Sequence, residues 1–373
     1  WEWSMRYPTQ PEILNYLNHV AERFDLRRDI SFDTSVEAAT FIDEKGIWKV
    51  RTDDGATLEA QFLVMATGCL STPNIPPIAG VEDYVGPVHH TGRWPHDGVA
   101  LEGKRVGVIG TGSSGVQSIP VIAKMAKQLT VFQRTAQYSV PARNRPVDPD
   151  FVASIKADYA GFRERNRQQY SGQLSHIPAN NISALAVTEA DRQRIYEERW
   201  ELGGFPFLGS FNDIGANAEA NQTAADFMRQ QIRKIVTDPV VAERLVPTYP
   251  AACKRPVLDS GYFETYNRPN VELVDLSATP IETITENGVR TTTSDYPLDC
   301  IIFATGFDAM TGTLLRIDIR GRNGLTLQKK WAAGPVNYLG LTIPGFPNLF
   351  TVTGPGSPSV LTNMMVAIEH HIE

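Results

Sequence analysis

Cysteine is scarce. The 373 residues hold three, Cys69, Cys253 and Cys300, too few for a disulfide framework and too widely spaced for a CxxC pair or a zinc pattern, which fits a reducing cytoplasm. Excess charge of either sign is also small. Lys plus Arg is 35 against 42 Asp plus Glu, a net of −7, which gives no electrostatic footprint for nucleic acid or an anionic membrane. Long apolar runs are missing too: the longest stretch without an acid or base, residues 331–368, is broken by Pro335, Pro344, Pro347, Pro355 and Pro358, so no membrane-spanning helix is expected. There is no initiator Met before Trp1 and no signal-peptide pattern, and His371-Ile372-Glu373 falls inside a helical pattern, so both ends are expected to be cut. What is present is an ordinary globular composition, 42% hydrophobic and 21% charged. It suffices for a sizeable core, at a length that suggests two or three domains.

The chain opens on a helical pattern. Thr9 and Glu12 are spaced as a capping box, and Ile13, Tyr16, Leu17, Val20 and Phe24 share one face, which predicts a packing helix. From residue 36 to 65 the period changes to that of strands. Runs at 40–42 and 47–50 flank Glu44-Lys45-Gly46, and Asp53-Asp54-Gly55 turns the chain toward Phe62-Leu63-Val64-Met65, which ends in Ala66-Thr67-Gly68. The same order returns at 281–285, Glu286-Asn287-Gly288 and 289–293, leading into Cys300-Ile301-Ile302-Phe303 and Ala304-Thr305-Gly306. Between the copies, Arg105-Val106-Gly107-Val108-Ile109 runs into Gly110-Thr111-Gly112-Ser113-Ser114-Gly115, an apolar-periodic helix and a strand at 129–132, a βαβ unit. Residues 148–246 read as helices almost throughout, with N-caps expected at Asp148-Pro149, Thr188 with Asp191, Thr223 with Asp226, and Asp238-Pro239.

A Gly-x-Gly-x-x-Gly motif alone is a weak signal, because glycines also serve tight turns. Between a strand and a helix, it lets backbone N–H groups approach a pyrophosphate at the helix N-terminus, so Gly110, Thr111, Gly112, Ser113, Ser114 and Gly115 are candidate dinucleotide-binding residues. About 20 residues on, an NAD site wants an acid for the ribose hydroxyls, yet this chain has Gln133-Arg134-Thr135. Arg134, with Thr135 beside it, suits a 2′-phosphate and favours NADPH over NADH. Two closers against one opener imply a second opener before residue 1 and one dinucleotide domain nested in another.

After the first closer comes Tyr84-Val85-Gly86-Pro87-Val88-His89-His90-Thr91-Gly92-Arg93-Trp94-Pro95, by position the linker between the two domains. Here the chain resembles the Baeyer–Villiger monooxygenases, whose fingerprint is Phe-x-Gly-x-x-x-His-x-x-x-Trp followed by Pro or Asp. Gly86, His90, Trp94 and Pro95 match in register, and Tyr84 replaces the Phe while keeping an aromatic plug. His89 reads as exposed filler, and no metal pair is expected because no carboxylate or Cys completes a ligand set nearby. A second matching segment runs from Pro247 through Cys253-Lys254-Arg255-Pro256 to Tyr262-Phe263-Glu264. By residues alone Lys254-Arg255 is a basic pair in a Pro-bounded loop. The resemblance implies that Arg255 is catalytic, stabilising an anionic flavin peroxide, and that Lys254 helps hold the 2′-phosphate. A third is the closer at 304–306. Further on, Gly354-Pro355-Gly356-Ser357-Pro358 feeds a helical run expected from about 359 to 373, and Ser359, Val360, Leu361 and Thr362 resemble the substrate and flavin loop of the phenylacetone and steroid monooxygenase branch.

The implied fold is α/β: two nested Rossmann-like, three-layer FAD/NAD(P)-binding domains with a helical insertion. The expected boundaries are 1–100 for a partial FAD domain and linker, 101–147 and 247–296 for the NADPH domain, 148–246 for the insertion, and 297–373 for a truncated return to the FAD domain. Ala66, Thr67 and Gly68, like Ala304, Thr305 and Gly306, would border the cofactors. The implied reaction takes a ketone and O₂, with NADPH reducing FAD and a C4a-peroxyflavin as oxidant, to an ester or lactone. The family's N-terminal Gly-rich FAD loop and C-terminal segment have no counterpart in the sequence, so weak FAD binding is expected and an inactive NADP-binding fragment is one alternative. A flavin monooxygenase that oxidises nitrogen or sulfur is another; the Trp94-Pro95 ending, where that group has Tyr, argues against it. A disulfide reductase would need a redox Cys pair. Oligomeric state and the identity of the ketone stay open.

Overall fold

The structure is a computed structural model that describes residues 1–169, 171–173, 177–357 and 362–373. The chain divides into two compact units. Unit 1 comprises Trp1–Thr72, Asn144–Leu174 and Phe307–Glu373; unit 2 comprises Pro73–Arg143 and Ser175–Gly306.

Unit 2 is built on a five-stranded parallel sheet in the order Val271–Asp275, Gln128–Gln133, Arg105–Ile109, Cys300–Phe303, Val88–His90. Its central strands are buried on both faces, as parallel strands must be when crossovers cover them. Alternation sorts the side chains. Val106, Val108, Leu129, Val131, Cys300 and Ile302 meet Val116, Ile119 and Ile122 of the helix Ser113–Met125. Ile109, Phe132, Ile301 and Phe303 face Leu298 and the Ile284 and Val289 side chains of a three-stranded antiparallel sheet, Ile281–Thr285, Gly288–Thr291 and Asp295–Pro297. These are the three expected layers. A separate aromatic core, Tyr196, Trp200, Phe207, Phe211 and Phe227, joins the helices Glu189–Leu202 and Ala218–Ile235.

Unit 1 carries a four-stranded sheet in the order Asp318–Arg320, Val36–Ile42, Ile47–Thr52, Thr57–Ala60, and a parallel pair, Leu63–Met65 with Leu349–Thr351. Ala39, Phe41, Trp48, Met65, Ile319, Trp331, Phe346 and Leu349 form its core.

Several expectations need correction. The stretch 84–95 is no linker: Val88–His90 is an edge strand of the unit 2 sheet, and everything from Pro73 to Arg143 belongs to that unit. The return to unit 1 comes at Phe307, not 297, because Cys300–Phe303 pairs with Arg105–Ile109. The helical region is split, since the helices Pro149–Ala157 and Tyr159–Arg167 belong to unit 1. Asp148, Thr188 and Asp238 cap their helices as expected, but Asn217 takes the cap expected at Thr223, whose hydroxyl donates back to Ala220 O inside the helix. The first helix, Gln10–Arg23, has no capping box: Glu12 instead accepts from Ser4 N and Ser4 Oγ. None of that helix's residues is buried; its Tyr16 ring meets Trp1 and Trp3, at 5.6 and 5.2 Å, and its His19 ring meets Trp1 at 5.5 Å. The last helix, Met364–Ile372, starts later than read because Asn363 is its cap.

Candidate functional site

The opener follows the strand Arg105–Ile109. Gly110 has φ +109°, and a Cβ there would lie 2.6 Å from Ala304 O; a Cβ at Gly115 would lie 2.4 Å from Gly110 O. Only glycine fits either place, and these contacts draw the second closer, Ala304-Thr305-Gly306, against the opener. Gly112 is different: a Cβ there meets nothing within 4 Å, and it begins the helix Ser113–Met125 without any side-chain cap. The N–H groups at Ser113 and Ser114 thus front a helix start that no side chain covers, the arrangement that receives an anion. Thr111 is buried and donates to Thr135 O at 3.0 Å, tying the loop to the next strand end. There Gln133 is buried, with Nε2 on Arg244 O and Oε1 lacking a partner among the described residues. Arg134 and Thr135 are exposed.

A second cationic segment precedes the strand Val257–Asp259, which pairs in parallel with Ser139–Pro141. Lys254 and Arg255 are exposed, and the Lys254 ammonium lies 4.9 Å from the centre of the Tyr249 ring. Tyr249 Oη donates to Gln137 Oε1 at 2.8 Å, and Tyr138 Oη donates to Tyr249 O at 3.0 Å. Burial pushes the Tyr249 phenol up in pKa, so it stays a donor.

The fingerprint residues are structural as well as positional. Tyr84 is buried, donates to Leu298 O at 3.1 Å, and has its pKa pushed up to about 12 by burial. A Cβ at Gly86 would sit 2.4 Å from Tyr84 Oη, so the glycine makes room for the ring. His90 is 5% exposed; its Nδ1 accepts from Gly92 N at 2.9 Å, which places the proton of the neutral ring on Nε2. Burial lowers its pKa, against the opposite pull of the Gly306 and Asn74 carbonyls. Asn74 N donates to Gly306 O, and Thr305 Oγ1 donates to Asn74 O. Asn74 carries no motif signal and escaped sequence reasoning. His89 is not exposed filler: it is half-buried, 5.8 Å from the Trp94 ring, and its pKa is lowered by burial and by Lys104. Trp94 itself is 37% exposed, and Pro95 is half-buried. The described residues hold no His, Cys, Asp and Glu cluster fit for a metal, and no helix among them is long and apolar enough to cross a membrane.

In unit 1, the first closer follows Leu63–Met65: Ala66 is exposed, Thr67 is half-buried and its carbonyl accepts from Ser71 Oγ, and Gly68 has φ +73°. The turn at Gly354 and Gly356 is tight. A Cβ at Gly354 would lie 2.4 Å from Thr351 Oγ1, and Gly356 has φ +82°. Ser357 is buried there, and its Oγ has no partner among the described residues. Thr362 Oγ1 donates to Ser171 O at 2.6 Å, beside Asn363 N at 2.8 Å on the same carbonyl. Ser359, Val360 and Leu361 lie outside the described residues.

Comparison with known proteins agrees with this picture. Residues 1–189 match the family described as pyridine nucleotide-disulphide oxidoreductase. A Baeyer–Villiger monooxygenase of Pseudooceanicola batsensis is 45% identical over 377 residues, covering 100% of this chain and 68% of that protein. A phenazine N-monooxygenase of Lysobacter antibioticus is 45% identical over 378 residues, with the same coverage of 100% and 68%. Among solved structures, that of OTEMO in complex with FAD and NADP superposes with a TM-score of 0.95 at 39% identity, over 100% of this chain and 71% of that one. With the fingerprint in register, the nested closers in place and identity of this order along its whole length, the chain belongs to the Baeyer–Villiger monooxygenases.

Proposed function

We propose that the chain binds NADPH on unit 2 and FAD on unit 1, and inserts one oxygen atom of O₂ beside a ketone carbonyl. The balance is ketone, O₂, NADPH and H⁺ to ester or lactone, NADP⁺ and water. The observation that carries this reading is the meeting, within unit 2, of the uncapped Gly112–Ser113 helix start, the second closer against Gly110, and the neutral His90. The residues fit the nicotinamide cofactor: Gly110 and Gly115 allow the close backbone approach, and Ser113 and Ser114 offer N–H groups to the pyrophosphate. Arg134, Thr135 and Lys254 take the 2′-phosphate. For FAD, the turn at 354–357 offers the Ser357 hydroxyl, which has no partner among the described residues, while a second phosphate-cradling Gly-rich loop is not among the 373 residues.

Bound FAD and NADPH supply the hydride and oxygen chemistry. The protein's part is position and charge. Arg255 presents a permanent guanidinium to developing negative charge on oxygen, a contribution commonly worth orders of magnitude in rate. His90, neutral and with Nδ1 already accepting, fastens the strand Val88–His90 beside the second closer and transfers no proton. Thr362 borders the substrate. Three unpaired cysteines support a cytoplasmic setting.

A second reading, transfer of oxygen to an aromatic nitrogen, is favoured by the phenazine N-monooxygenase relative at 45% identity. The test is the flavin absorbance of the purified protein, followed by NADPH oxidation with added FAD and either a cyclic ketone or an N-heteroaromatic acceptor, with product analysis. Lactone formation supports the first reading and an N-oxide the second. A colourless protein that binds NADP⁺ without any acceptor-dependent turnover overturns both.

A further inference from the structure

We infer that Tyr249 is a positioning residue for Lys254, and through it sets the preference for a dinucleotide bearing a 2′-phosphate; this deepens the NADPH reading and rests on it. A lysine is a flexible four-carbon stem rich in rotamers, poorly suited to discriminate unless something holds it. Among the described residues Lys254 makes no ion pair; its contact is the face of the Tyr249 ring at 4.9 Å. That ring is itself fixed. Its hydroxyl is on Gln137 Oε1, its plane meets Tyr138 edge-on at 5.2 Å and 80°, and its carbonyl accepts from Tyr138 Oη. Gln137 stands three positions after Arg134, and Tyr138 leads into Ser139–Pro141, the strand paired with Val257–Asp259 just beyond Arg255. The two segments that carry the phosphate-directed cations are thereby joined through one aromatic side chain.

The choice of partner matters physically. A carboxylate would orient the ammonium but neutralise it, whereas a ring face attracts a cation weakly and leaves its charge for a dianion. Tyr249 therefore orders Lys254 without consuming it.

The experiment measures binding of 2′,5′-ADP and of 5′-AMP to the full chain by calorimetry, for the natural protein, Tyr249→Leu, Tyr249→Phe, Lys254→Ala and the double variant Tyr249→Leu/Lys254→Ala. The natural protein is expected to prefer 2′,5′-ADP. Tyr249→Leu should lose about fivefold of that affinity with 5′-AMP unchanged. Tyr249→Phe, which keeps the ring face but not the bond to Gln137, should fall between. In the Lys254→Ala background the Leu substitution should add nothing further. If the natural protein shows the preference and Tyr249→Leu leaves it intact, or weakens both ligands alike, the role of Tyr249 is overturned while the NADPH reading stands. If the natural protein shows no preference, the NADPH reading fails and this inference with it.

Discussion

Tyr84 stands where the family fingerprint has Phe, and its extra oxygen is used locally, on Leu298 O. Tyr84→Phe should cost about 1 kcal/mol in denaturant unfolding, the worth of one hydrogen bond with the acceptor left behind, without changing nucleotide affinity. Gly86→Ala is expected to be worse, at about 1–3 kcal/mol, because its Cβ would land 2.4 Å from the Tyr84 hydroxyl in a packed cluster. At the proposed catalytic residue, Arg255→Ala should lower ester formation about 10²-fold or more while NADPH is still consumed; product formed per NADPH oxidised reads this out. Tyr84 and Gly86 were legible in the sequence because the motif spacing is local. Asn74 and Gln137 were not, since each acts through a partner far along the chain.

At the scale of elements, glycines and caps were readable wherever backbone geometry leaves one solution. Gly110 at φ +109° is such a position, and Gly110→Ala should displace the second closer. Loss of NADP⁺ binding by calorimetry and a fall in unfolding free energy of about 1–3 kcal/mol are expected. Asp148, Thr188 and Asp238 cap as their sequences demand. Thr223 fails that logic because its spacing to Asp226 imitates a box, while Asn217, earlier in the chain, offers its side chain to two free N–H groups. The helix Gln10–Arg23 carries the periodic face its sequence predicts, yet Ile13 is 40% and Leu17 55% exposed. Periodicity specifies a face and says nothing of what lies against it.

On the scale of the whole molecule, pH acts through groups whose folded pKa differs from the unfolded one. His89 and His90 are both lowered by burial, so an unfolded chain takes up protons that the folded one resists. Stability should be complete above about pH 6.5 and fall as pH drops toward the folded values. Chemical unfolding at pH 7 and pH 5 measures this, and the loss of stability between them should be smaller in His89→Asn/His90→Asn. Asp299 behaves in the same direction further into acid: the Arg105 guanidinium holds its pKa at about 2, so that pair's contribution is kept above about pH 4 and lost below, although exposure screens it.

The sequence by itself determined the βαβ unit, the left-handed glycines, most of the caps and the repeated hairpin-strand-closer order, because each depends on steric limits and alternation among near neighbours. Tertiary structure alone decided that Val88–His90 enters the sheet, that the chain leaves unit 2 at Gly306, and that Gln137 meets Tyr249 across 112 residues. Such contacts are fixed by which surfaces packing brings together after long loops close, a free-energy balance over many residues that no local window contains.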